Sequence, residues 1–224
     1  MVSAILSATT SKAGNFFSNP GQLLTALLLS VLLQQPAWAE SGESGLPETI
    51  AVPSEADAAR LQSGQVLTRN FEHADGLRGS VLRFWAKASP DECFKILADP
   101  AKLADFMPSL HSVRVLGEQP DGTVLRMVSQ VPFAPDLTIR RWGVPATRTI
   151  RWVQVRTPFR RLEGRWQMHP LGEGACLEYA LGVDTTGNLI PGWVISGLQQ
   201  QGTRDIARNV RRRIESGGTW KKPG

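Results

Sequence analysis

Between His111 and Val183 the chain repeats one pattern six times: a short alternation of apolar and polar residues, a turn, then another alternation. The segments are His111–Glu118, Thr123–Val131, Thr138–Trp142, Arg148–Val155, Leu162–His169 and Cys176–Val183. A period of two is how a strand with one buried face reads. Gln119-Pro120-Asp121-Gly122 joins the first two and Leu171-Gly172-Glu173-Gly174 the last two, and connections this short allow only antiparallel neighbours. The run predicts a β-meander, and the rest of the chain must fit around a single antiparallel sheet.

What flanks the run fixes the fold class. Val66–Phe71 and Gly79–Ala88 read as two more strands, joined through His73-Ala74-Asp75-Gly76. Ser89-Pro90-Asp91-Glu92 then starts a helix: Ser89 caps, Pro90 suits the first helical position and Glu92 closes a capping box. That helix runs to about Ala98, and Asp99-Pro100 starts a second short one, ended by Pro108. After the meander, Val194, Leu198, Gly202, Ile206, Val210 and Ile214 recur every fourth residue, which puts them on one face of a long helix. The predicted class is α+β, a curved antiparallel sheet wrapped around a long C-terminal helix, with two short helices after the first core strand.

The N-terminus carries a different message. Residues 1–39 hold one charged side chain, Lys12, then the apolar run Leu23–Leu33 and the small-x-small sequence Ala37-Trp38-Ala39. This is the layout of a secretory signal cleaved after Ala39; the run is short for a bilayer span of about 20 residues, and retention as an anchor is the alternative. The expected organisation is a signal peptide at 1–39, a flexible acidic leader at 40–62, a folded domain at 63–216 and a tail at 217–224. The expected location is the periplasm or an equivalent non-cytoplasmic compartment. Charge divides along the same line: Glu40–Asp75 has seven acidic and two basic residues, whereas from Gly76 onward there are 22 basic and 13 acidic. Eight arginines lie between Arg140 and Arg165, read as solvated strand faces or as an anionic membrane contact. Export argues against nucleic acid.

Chemistry is sparse. Three scattered histidines and two cysteines give no metal-ligand spacing, and no nucleophile elbow, phosphate loop or cofactor motif is present, so no metal, cofactor or catalytic residue is assigned. Arg126, Arg151, Glu178 and Tyr179 are the strand residues with polar chemistry to offer, although alternation puts Arg126 and Glu178 outside. Cys93 and Cys176 read as two buried thiols, with a disulfide as the alternative that an oxidising compartment allows.

Ala88-Ser-Pro-Asp-Glu-Cys-Phe-Lys-Ile-Leu-Ala-Asp99, Phe106-Met-Pro-Ser-Leu-His-Ser-Val-Arg-Val-Leu116, Gly164-Arg-Trp-Gln-Met-His-Pro170 and Ile190-Pro-Gly-Trp193 follow one another in an order that resembles the START-like superfamily, with its helix-grip fold. Within it, the match is to the polyketide cyclase/dehydrase and coenzyme Q-binding group. The resemblance implies an apolar cavity between sheet and long helix that holds a lipid, quinone or polyketide. Alternation independently turns Leu82, Phe84, Val113, Val115, Leu125, Met127, Val131, Leu162, Trp166, Met168, Leu177, Tyr179 and Leu181 inward, a set that also describes an ordinary core. The candidate ligand-binding residues are Phe84, Phe106, Met107, Met127, Trp166, Met168, Tyr179, Leu181, Trp193 and Leu198, with Phe106, Met107 and Trp193 expected together near a cavity mouth. Trp166 and Tyr179 stand out because each joins a broad apolar surface to a polar tip. The leading expectation is a non-catalytic carrier of a hydrophobic small molecule. The alternatives are a cyclase/dehydratase-type enzyme and an interaction module docking through Arg140–Arg165.

Overall fold

A computed structural model describes residues 44–49, 53–130, 136–184, 186 and 192–223, of which 192–201 by backbone alone. The predicted signal with its cleavage site and Val131 lie outside the described residues.

Eight strands form one antiparallel, curved open sheet: β1 (Leu67–Glu72), β2 (Arg78–Ala86), β3 (Leu110–Gln119), β4 (Gly122–Ser129), β5 (Asp136–Val144), β6 (Thr149–Arg156), β7 (Arg161–Leu171) and β8 (Gly174–Asp184). Their order is β1-β2-β8-β7-β6-β5-β4-β3, so the predicted meander runs from β3 to β8, and β2 closes onto its last strand. This is the helix-grip arrangement.

The helices form where the caps predict. In α2 (Pro90–Ala98) the Ser89 hydroxyl accepts from the Glu92 amide at 3.3 Å, and the Glu92 carboxylate accepts from the Ser89 amide at 2.8 Å. Asp99 then caps the 3-10 turn Pro100–Lys102, which leads into α3 (Leu103–Phe106). α1 (Glu55–Gln62) precedes the sheet, capped by Ser54. The final helix, α4 (Gly192–Glu215), spans 24 residues and packs against β2, α2 and α3. Ile206, Val210 and Ile214 of its apolar stripe are buried, in one core with Leu82, Phe84 and Leu97.

Both ends of the domain are tied down more firmly than their composition suggests. Ser44–Thr49, read as part of a flexible leader, lies along the outer face of β7. Glu163 accepts from the Ser44 hydroxyl and the Gly45 amide, Arg165 donates to the Pro47 carbonyl at 2.9 Å, and Leu46 is buried beside Val81 and Ala180. At the other end, the Trp220 ring packs on the core and the Trp220 carbonyl accepts from Arg213 at 2.8 Å. The Lys222 amide donates to the Asp105 carbonyl, and its ammonium to those of Met107 and Leu110. The residues read as a tail therefore form a strap across α3. No described helix is long and apolar enough to cross a membrane.

Candidate site on the inner face of the sheet

Strand register decides which side chains share a face, because residues paired across neighbouring strands point the same way. Three cross-strand rows lie on the inner face of the sheet, which packs against α2 through β6, β7 and β8 and against α4 through β2. The first is Phe84, Leu177 and Met168; the second is Leu82, Tyr179, Trp166 and Ile150; the third is Leu181, Gly164, Trp152 and Arg141. Met127 joins this face from β4, opposite Leu137 and Val113.

The rows place four aromatic rings in contact. Phe84 meets Trp166 edge-on with centroids 6.2 Å apart, Trp166 and Tyr179 lie 4.6 Å apart at 48°, and Tyr179 stacks on Trp152 at 5.6 Å and 28°. Such offset and tilted geometries are the favourable ones for ring quadrupoles. Tyr179, Trp166 and Trp152 are 6%, 3% and 8% exposed. Even so, neither indole N–H nor the phenol O–H donates to any described residue. Burial pushes the Tyr179 phenol well above its ordinary value, so it stays protonated at neutral pH.

Arg141 is the polar member of the third row, and it too is buried. Its guanidinium reaches across to the C-terminus of α2, donating to the carbonyls of Ala98 at 2.8 Å and of Leu97. These are among the carbonyls that a helix end leaves without a partner, and positive charge is favoured there. Desolvation lowers the Arg141 pKa to about 10, with nearby Asp99 opposing, so the group remains a cation with its donors in use.

The other charged residues lie elsewhere. On the outer face Glu178 is enclosed by Arg83 at 2.7 Å and Arg165 at 2.9 Å, with its side chain 1% exposed. His169 pairs with Cys176 on this same outer face, and the His169 Nε2 atom is buried without a partner. Cys93 and Cys176 are both free, on opposite faces of the sheet, and burial pushes their thiols up to about 12 and about 11. Of the eight arginines between 140 and 165, five pair with acids: Arg140 with Asp121, Arg148 with Asp91, Arg160 with Asp184, Arg161 with Asp75 and Glu163, and Arg165 with Glu178. Among the described residues no cluster of three His, Cys, Asp or Glu is placed to hold a metal ion.

Of the residues singled out from sequence, Phe84, Met127, Trp166, Met168, Tyr179 and Leu181 share the inner face. Phe106 and Met107 do not sit with the start of the long helix as expected. The Phe106 carbonyl accepts from Asn209 at 3.1 Å, and its ring lies under Arg213, both in the last turns of α4. Asn209 stands 17 residues beyond Gly192, roughly 25 Å along a helix rising about 1.5 Å per residue. The side chains of Trp193 and Leu198 lie outside the described residues. Arg151, offered as a polar inner residue, pairs with Arg165 and Trp142 on the outer face instead. The inner face also holds Trp152, Ile150, Gly164 and Arg141, which the sequence reading misses, although alternation through Ile150-Arg151-Trp152 carries the signal for two of them.

The family described as polyketide cyclase / dehydrase and lipid transport matches residues 86–211. Among curated protein sequences none matches this chain. Solved structures share the fold. A Thermus thermophilus protein superposes with a TM-score of 0.55 at 17% identity, covering 62% of this chain and 98% of its own. A START superfamily protein from Mycobacterium smegmatis gives 0.52 at 18%, covering 68% and 99%. The Zhui aromatase/cyclase from Streptomyces sp. R1128 gives 0.51 at 21%, covering 66% and 94%.

Proposed function

The chain belongs to the polyketide cyclase / dehydrase and lipid transport family, and from that premise we propose that it is an exported, non-catalytic carrier that holds a hydrophobic small molecule between the inner face of its sheet and α4. The observation that carries this reading is the aromatic wall: Phe84, Trp166, Tyr179 and Trp152 touch one another on the inner face of the curved sheet, a broad, mostly apolar surface with a few polar tips of the kind that holds a hydrophobic small molecule.

The placement of titratable groups favours carriage over chemistry. Glu178 and His169 face away from the wall, and burial holds both thiols and the Tyr179 phenol in their neutral forms. Export rests on residues 1–39, with the mature chain beginning at Glu40.

Native mass spectrometry of protein purified from the compartment where it accumulates tests both parts. A mass starting at Glu40 and a co-purifying lipophile are expected. Repeated recovery of ligand-free protein would overturn the carrier reading, and a mass that retains residues 1–39 would overturn the cleavage. Turnover of a poly-β-ketone substrate by the wild type, lost in Tyr179→Phe, would replace carriage with the cyclase alternative.

A further inference from the structure

We infer that the outer face of β7 and β8 is a peptide-binding site, filled in this structure by Ser44–Thr49 of the same chain and able to take that sequence in trans from a second copy. The site stands apart from the inner face and does not depend on what is carried there.

The outward side chains of β7 read the segment in step. Glu163 accepts from the Ser44 hydroxyl and the Gly45 amide, Arg165 donates to the Pro47 carbonyl, and the Thr49 hydroxyl donates to Gln167 at 3.4 Å. Residues 45, 47 and 49 therefore meet residues 163, 165 and 167, so the segment runs parallel to β7 and advances with it residue for residue. Alternate strand residues share a face, which makes this row of polar groups a track for an extended chain. The backbone of β7 is already paired on both sides, with β6 and β8, so the track stays formed when the segment leaves.

Three positions select the sequence. A β-carbon on Gly45 would stand 2.8 Å from Leu77 Cδ2 and 2.9 Å from Arg161 Nη2. Leu77 is fully buried and Arg161 is held by Asp75 and Glu163, so neither neighbour yields readily. Leu46 fills a pocket beside Val81 and Ala180, and Gly182 on β8 leaves room for it: a β-carbon there would come within 3.1 Å of the leucine. Pro47 restricts Leu46 to extended backbone, the conformation the track requires, and so reduces the entropy lost on docking. Glu163 and Arg165 are themselves buried, and a buried polar group that loses its partner costs free energy that only a matching group restores. The site therefore discriminates against a chain that covers it without bonding to it.

The tether explains why the segment is found in cis. α1 begins at Glu55, six residues after Thr49. A link that short holds the segment at an effective concentration in about the millimolar range, so the arm of a second copy enters only where the first is displaced.

Fluorescence anisotropy with a labelled peptide of residues 41–49, Ser-Gly-Glu-Ser-Gly-Leu-Pro-Glu-Thr, tests this on the full chain. Leu46→Asp and Gly45→Val in the protein should each empty the site in cis and leave its β7 and β8 residues in place. Both variants should then bind the peptide at least about tenfold more tightly than the wild type, where the tethered arm competes. A peptide carrying Gly45→Val should bind neither. Thermal melting gives an independent reading: each variant should melt below the wild type, and the native peptide, but not the substituted one, should raise its midpoint again. Folded variants that ignore the peptide, a wild type that binds it as tightly as they do, or a substituted peptide that binds equally well would each overturn the inference. So would failure of both variants to fold, which would make Ser44–Thr49 part of the core and not a ligand of it.

Discussion

Trp152 lies against the neighbouring strand at Gly164, where a β-carbon would stand 2.0 Å from its Cζ2 atom. The register puts these two residues directly opposite each other on β6 and β7. Because position 164 has no side chain, the indole can fold over the sheet and reach Tyr179, which lies on the next strand and one row away. The aromatic wall thus depends on a residue that contributes no surface to it.

Gly164→Ala should push Trp152 off the wall. Overpacking of this kind costs roughly 1–3 kcal/mol, read as a lower urea midpoint, and hydrophobic-ligand affinity should fall with it. A variant with unchanged stability and unchanged ligand affinity would show that the close approach is incidental.

Glu178 lies between the buried Arg165 and the half-buried Arg83 on the outer face, and removing one partner of a buried ion pair strands the rest. Glu178→Leu should cost about 3–5 kcal/mol in chemical denaturation. Replacing Arg83, Glu178 and Arg165 together by apolar residues should cost less than that single change. If the triple variant proves the less stable of the two, the charges contribute more than mutual neutralisation.

The strap at the C-terminus predicts local protection. Lys222→Ala removes the ammonium held by the carbonyls of Met107 and Leu110, so amide exchange across Leu103–Leu110 should accelerate while that of β7 and β8 stays slow. Unchanged exchange in α3 would mean that the strap rests on the helix without holding it.

Stability should also depend on pH through His169. Burial first, then Arg83 and Arg165, lower its pKa from the ordinary 6.5, with Glu178 opposing. The folded state therefore favours the neutral ring, and below about pH 6.5 the unfolded chain binds more protons than the folded one. Stability is fully present above that value and declines as pH falls toward 5. His169→Gln should flatten this part of a thermal-melting series, and an identical slope in the variant would assign the effect to other groups.

The elements of the fold are legible because each has a local signal. The period-two runs, the Ser89-Pro90-Asp91-Glu92 cap and the every-fourth stripe through Ile206, Val210 and Ile214 all speak through neighbours in sequence. The site is half legible: Phe84, Trp166 and Tyr179 follow from alternation alone. Trp152 is masked because Arg151 and Gln154 make its strand read as polar, and Arg141 because a run of arginines reads as solvent-facing. The true partners of Arg141, the carbonyls of Leu97 and Ala98, lie more than forty residues earlier in the chain, a distance no local pattern spans. Ser44–Thr49 has too little apolar surface to predict docking, and its hold comes from Glu163 and Arg165, residues that themselves read as exposed.

Because β2 pairs with β8, Phe84 takes its place beside Leu177 only after 93 further residues have followed it. Bringing such distant segments together is slow, since the chain closes a long loop before any contact rewards it. The strands from β3 to β7 can zip up one hairpin at a time as they are made, but the row holding Leu82, Tyr179 and Trp166 is complete only when the eighth strand arrives. A nascent chain would therefore emerge with its future binding wall unassembled. Under the proposed export, it could not pick up cargo on the side of the membrane where it is synthesised, only where folding ends.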